Sequence, residues 1–156
     1  MADFMTRGDA RELAVHLIYS QSFTGEEPKS LMDTRLGREY YQELAQEYDL
    51  YENSPSAKQV RYLDAVVTGV SNRTEELNEQ IQKFSIGWDI SRISRLARCV
   101  MQLAIYEIQY VEDVPTGVAI NEAVRIAKKY DGDDTGAFIN GILGAFARSL
   151  TAETEA

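Results

Sequence analysis

The sequence predicts an all-α chain, about seven helices in two small packed bundles sharing one core, and three observations carry that expectation. Apolar residues recur at i, i+3, i+4 and i+7 along most of the chain, the spacing of one helix face, rather than alternating as in a strand. Only three prolines stand among 156 residues, so little interrupts those patterns. A hydrophobic fraction of 44% is enough for a real core in one domain of this length. The expected domain spans residues 1–156, with an ordered core of about 9–150.

In the first helix Ala10, Leu13, Ala14, Leu17 and Ile18 share a face, and Thr24 to Pro28 ends it. Residues from Ser30 to Tyr51 are polar and tyrosine-rich around Gly37, which predicts one or two short helices. Asn53, Ser54, Pro55 and Ser56 form a loop, and Ser56 suits an N-cap because its hydroxyl can accept from a backbone N–H of the first turn. Val60, Leu63, Val66, Val67 and Val70 then open a long helical stretch that Leu77, Ile81 and Phe84 continue, as one helix or as two.

Trp88 and Ile90 lead to a turn, and Ser94 caps a helix running to about Tyr110. There Leu96, Val100, Leu103, Ala104 and Ile108 face one way while Ala97, Met101 and Ile105 cover much of the rest, the pattern of a buried central helix. Pro115 suits a first helical position, and Ile120, Ala123, Val124 and Ala127 give that helix its apolar face. Tyr130 closes it. Gly132 tolerates the positive φ of a helix end, and Asp133, Asp134 and Thr135 offer N-cap oxygens and negative charge to the next dipole. Ile139, Ile142, Leu143, Phe146 and Leu150 form the last stripe.

The inventory for catalysis is poor. His16 is the only histidine and reads as a surface or boundary residue, Cys99 is the only cysteine and reads as core filler, and no metal spacing or glycine-rich phosphate loop occurs. No metal, no cofactor and no enzymatic activity are expected. Glu107 lies in an apolar run and needs a partner, whereas Asn121, Glu122 and Asn140 read as bonds between helices. A lone cysteine, no leader-like start and no long apolar run predict a cytoplasmic protein that spans no membrane.

A net charge of −9 argues against a sequence-blind nucleic-acid binder, which gains affinity by neutralising phosphates. Split after Ser85, the chain carries 9 basic against 15 acidic residues before and 7 against 10 after, so any RNA site is local.

Ala119-Ile120-Asn121-Glu122-Ala123 followed by Phe138-Ile139-Asn140-Gly141-Ile142-Leu143 resembles the paired signatures of the NusB transcription antitermination family. Arg11-Glu12 with Ala14, Leu17, Tyr19 and Ser20, and Ala104-Ile105-Tyr106-Glu107-Ile108, are similar to that family's first and central helices. The resemblance covers roughly Ala10 to Leu150, with a divergent stretch near Leu31 to Ser56. It implies an RNA-binding factor that pairs with the ribosomal protein NusE, binds the boxA element of rRNA operon leaders as single-stranded RNA and, in the RNA polymerase antitermination complex, suppresses premature termination. It also implies self-association for some members, hence a possible homodimer. One rival reading is a helical protein adaptor without an RNA role. Another is a stand-alone relative of the RNA-binding domain of rRNA cytosine methyltransferases; because the chain stops at Ala156, the intact enzyme is not expected.

The resemblance also implies site residues. Arg7 and Arg11, four apart at the start of the first helix, match an arginine-rich RNA-contacting patch, although Gly8 and Asp9 thin it. Asp134 and Phe138 lie one turn apart at an RNA-facing edge; Phe138 either stacks a base or packs in the core, Asp134 either faces RNA or caps its helix, and Tyr19 is open in the same way. Arg92, Arg95 and Arg98 are either a solvated helix face or a patch that contacts a protein partner or RNA, and Gln102 stands where many relatives carry arginine.

Overall fold

Thr6 starts the first helix: its hydroxyl accepts the Asp9 N–H at 3.1 Å, and α1 (Arg7–Thr24) follows in the computed structural model. The structure describes residues 4–155. The first three residues, read above for a leader, and Ala156, taken there as the end of the domain, lie outside the described residues. The chain divides into two compact units between Asn72 and Arg73.

In the first unit α1 buries Ala10, Leu13, Ala14, Leu17 and Ile18, the expected face. The tyrosine-rich stretch folds as α2 (Pro28–Arg35), α3 (Arg38–Ala45) and a 3₁₀ turn at Asp49–Glu52. Ser56 and Gln59 cap α4 (Ala57–Asn72) reciprocally: Ser56 Oγ accepts from Gln59 N at 3.2 Å while Gln59 Oε1 accepts from Ser56 N at 2.9 Å. The same Gln59 donates through Nε2 to Met5 O at 2.8 Å, fastening the start of the chain to this loop. α4 packs on α1 and α2. Its buried face begins at Leu63; Val60, expected within it, is exposed because it sits on the first turn beyond that face.

The second unit begins where the stretch read as one helix or as two breaks. The long helical stretch is two helices, since Arg73 leaves helical geometry at φ −124° and α5 (Thr74–Phe84) restarts beyond it. α6 (Arg95–Tyr110) is buried along nearly its whole length, with Met101, Leu103 and Ile105 among its core residues. Gln102 donates to Asn78 Oδ1 at 2.8 Å, so the residue without a role in the sequence ties α6 to α5.

α7 (Thr116–Asp131) starts one residue after Pro115, which stands at the N-cap. Its buried face is Ala119, Ala123, Ile126 and Ala127, with Ile120 and Val124 only half-buried, so the face is rotated from the expected one. α8 (Asp133–Glu155) buries Ile139, Ile142, Leu143 and Phe146, and packs on α7 and on α6. Asn121 and Asn140 are exposed, where bonds between helices were expected, and Glu122 pairs with Arg125 one turn along its own helix. The described residues thus form eight α-helices and two 3₁₀ turns, close to the seven helices expected.

Tyr41 carries a pH test. Its hydroxyl donates to Asn53 O at 2.8 Å and its ring meets Tyr51 edge-on at 5.1 Å. Burial, reinforced by neighbouring Tyr51 and Asp9, raises its phenol above the ordinary 10.0. A raised folded value favours the protonated form, so this contribution is intact below about pH 10 and is lost as pH climbs through the folded value. Urea unfolding between about pH 9 and about pH 11 should show a smaller alkaline loss of stability for Tyr41→Phe than for the parent chain.

Candidate nucleic-acid interface

The second unit holds a cleft of about 380 Å³ where the chain before α6 meets the α7–α8 turn. Its first wall is fixed by short-range bonds. Trp88 N donates to Ser85 O at 3.0 Å, and Gly87 supplies the φ of 82° that the reversal requires. The amide of Gln82 then holds both sides of the turn, donating to Trp88 O and accepting from Ile90 N, each at 2.8 Å. Asp89 Oδ1 accepts from Ser91 N at 2.9 Å and caps a 3₁₀ turn at Ile90–Arg92; that bond holds the Asp89 carboxyl below its ordinary range. The backbone at Trp88 is therefore anchored while its side chain stays 53% exposed.

The second wall is organised by one carboxylate. Ser94 Oγ accepts from Ala97 N at 3.1 Å, as a cap should, and donates to Asp131 Oδ2 at 2.9 Å. Thr135 Oγ1 reaches the same Asp131 carboxylate at 3.4 Å and its backbone carbonyl at 3.3 Å. Asp131 thereby joins the start of α6, the end of α7 and the first turn of α8. Thr135, expected to offer a cap to α8, points its hydroxyl back to α7; Asp133 and Asp134 supply negative charge in the first turn of α8, and Gly132 takes φ 94° at the junction.

Phe138 lies on this cleft, half-buried, with its ring 5.8 Å from that of Trp88 at 66°. It is neither a core ring nor a free one. Asp134 and Arg92 are exposed on the same cleft. Sequence reasoning passed over Trp88; its one signal was the lone tryptophan of the chain standing just before a capped turn.

The other candidates are dispersed. Arg92 belongs to the 3₁₀ turn, Arg95 is the first residue of α6, and Arg98 buries its Nε without a hydrogen-bond partner, so the three do not form one solvated face. In the first unit Arg7 is exposed, whereas Arg11 is only 5% exposed. Tyr19 is 36% exposed and meets Phe23 edge-on at 4.9 Å, an exposed aromatic pair. Arg7 and Tyr19 stand roughly 18 Å apart along α1 at its rise per residue, too far to hold one nucleotide together. His16 is half-buried and shares a hydrogen bond with Tyr51 Oη, and Cys99 is buried. No described helix is long and apolar enough to cross a membrane, and among the described residues no three His, Cys, Asp or Glu side chains group as metal ligands.

The chain is similar to proteins of one family. A family model described as NusB family matches residues 8–148. A transcription antitermination protein NusB from Acetivibrio thermocellus is 41% identical over 140 residues, covering 90% of this chain and 87% of its own length. Among solved structures, T. maritima NusB aligns with a TM-score of 0.69 and 26% identity over 95% of this chain and 93% of that one. A crystal structure of antitermination factors NusB and NusE in complex with dsRNA aligns with a TM-score of 0.71 and 24% identity, over 92% and 96%.

The contrast between Phe138 and Phe146 is measurable. Phe146, 1% exposed, contacts Phe84 at 6.0 Å inside the second unit, and replacing it by alanine should cost about 3–5 kcal/mol. Phe138→Ala should cost clearly less, because that ring is only partly buried. Melting midpoints of the two purified variants check the order.

Proposed function

The chain belongs to the NusB family, and on that premise we propose that it is a non-catalytic, cytoplasmic antitermination factor that binds boxA RNA of rRNA operon leaders together with NusE. In the RNA polymerase antitermination complex it supports rRNA transcription. The observation that carries this reading is the extent of the match, over residues 8–148 and at 41% identity across 90% of the chain. The complex of NusB and NusE with dsRNA describes those proteins. RNA comes to this chain through family membership and through its two exposed aromatic sites.

The chemistry follows from charge. At a net charge of −9 the chain has little to gain from bulk phosphate attraction, so its affinity rests on stacking at Tyr19 and Phe138, on Asp134, and on a basic partner that extends the surface. Arg92, Arg95 and Arg98 are the candidate partner contacts. Of the two arginines on α1, Arg7 is placed for a phosphate; Arg11 keeps a role in RNA only through the small part of it that solvent reaches.

Binding of a labelled boxA-like RNA should be weak with this protein alone and at least tenfold tighter with NusE present. Equal affinities count against the reading, and no binding in either case leaves the adaptor. Arg7→Ala should lower the magnitude of the slope of log affinity against log salt by about 0.7, one phosphate of a single strand. Arg11→Ala should chiefly lower the melting midpoint, since a buried guanidinium is held by its protein surroundings.

A further inference from the structure

We propose that Arg35 and Ser20 form a seat for one RNA phosphate beside the Tyr19–Phe23 ring pair, holding the backbone of the nucleotide whose base stacks there. This rests on the RNA-binding reading above and deepens it, because that reading leaves the ring at Tyr19 without a cation.

The need arises on α1 itself. Tyr19 and Phe23 form an edge-on pair at 4.9 Å, Phe23 being 60% exposed, and exposed rings of this kind take unstacked bases. A base held there brings its phosphate with it. Arg7 stands about 18 Å away along the helix, and Gly8 and Asp9 thin the cations at that end, so the phosphate has to find its partner on another element. α2 packs on α1 and supplies one.

A printed direction places that cation: Arg35, the last residue of α2, donates through Nη1 to Ser20 Oγ at 2.7 Å, so its guanidinium stands over the residue next to Tyr19. On a helix surface Ser20 and Phe23, three apart, and Tyr19 and Phe23, four apart, are neighbours with Cβ atoms about 5–6 Å from each other. The hydroxyl and the two rings therefore share one patch of α1. The stretch that carries Arg35 is the one in which this chain departs from its family, so the seat belongs to this chain.

Charge gives the reason for a ligand. The chain has 25 acidic side chains, yet among the described residues none forms an ion pair with Arg35, whose Nε is buried without a hydrogen-bond partner. Its neighbours, the Ser20 hydroxyl, the Tyr40 ring at 5.6 Å and the Tyr51 hydroxyl, are all neutral. A half-buried guanidinium gains most from an oxyanion that accepts from two of its donors at once, and phosphate has that geometry. Ser20 adds a donor, since its oxygen accepts from Arg35 and its own proton goes to no acceptor among the described residues. A phosphate oxygen between them receives both.

The probe is the labelled boxA-like RNA, bound to the full chain with NusE present and scanned with one neutral methylphosphonate linkage at a time. One linkage, or two adjoining ones, should cost the parent chain at least fivefold in affinity, and the same change should cost Arg35→Gln less than twofold. Arg35→Gln should also lower the magnitude of the slope of log affinity against log salt by about 0.7, one phosphate of a single strand. Arg38→Gln, at an exposed arginine of α3, should leave that slope unchanged, and an equal flattening by both variants overturns the seat in favour of general charge. Arg35→Lys keeps the charge and loses the fork, so it should retain the slope, bind at least threefold more weakly and be less sensitive than the parent to the marked linkage. Ser20→Ala should weaken binding by a similar factor at an unchanged slope. Sodium phosphate in place of chloride at equal ionic strength should not compete; full competition overturns RNA as the source of the phosphate. Equal linkage costs in the parent and in Arg35→Gln, or in Arg35→Lys where the first variant melts below assay temperature, overturn the seat and leave RNA binding standing. No RNA binding by the parent chain with NusE overturns both this proposal and the reading beneath it.

Discussion

The second unit depends on the burial of α6. A helix that is apolar on nearly every side cannot lie on a surface, so α5, α7 and α8 must pack around it. That requirement fixes where the helices end. Backbone termini cannot interdigitate as side chains do, and where the start of α6 meets the junction of α7 and α8 the packing leaves a cleft. Asp131 closes the polar ledger there, receiving hydroxyls from both flanking helices, while Ser94 caps α6 with the oxygen whose proton goes to Asp131. The candidate site is thus the place where a buried central helix begins.

Charge sets the second constraint. A chain at −9 repels a polyanion at long range, so steering by a general field is not available to it. Short-range forces are. Stacking does not depend on net charge, and a carboxylate such as Asp134, unfavourable toward phosphate, accepts well from the N–H groups of a base edge. Acidic residues beside a partly exposed ring are therefore compatible with contacts to neutral N–H donors, and not with bulk attraction of phosphate.

Much of this was legible in the sequence. The face of α1, the cap at Ser56, the cap at Ser94 and the glycine turn at Gly132 all follow from local rules, and each local choice agrees with the fold. The break at Arg73 was not legible, because neither Asn72 nor Arg73 is a strong helix breaker and the apolar spacing runs on past both. The face of α7 was misplaced by a fraction of a turn: Ala119 and Ile126 carry the burial, and small residues mark a close approach that hydrophobicity alone underweights. Arg11 looked like a surface cation by type, and only three-dimensional packing buries it. The cleft needed Trp88, which comes from an irregular turn whose geometry rests on the side chain of Gln82 in the preceding helix.

The half-buried state of Phe138 follows from these constraints together. Ile139, Leu143 and Phe146 already fill the face of α8 that meets the core, so the ring one position earlier is turned to the margin, where Trp88 is the aromatic surface beside it. Both rings stand on backbone fixed by other bonds, Trp88 through Gln82 and the start of α8 through Asp131. A wall built this way is formed before a ligand arrives, so little ordering is left to offset on binding. For an acidic chain that gains little from long-range attraction, two rings and two charges preorganised at one helix junction are what its fold sets out at this cleft.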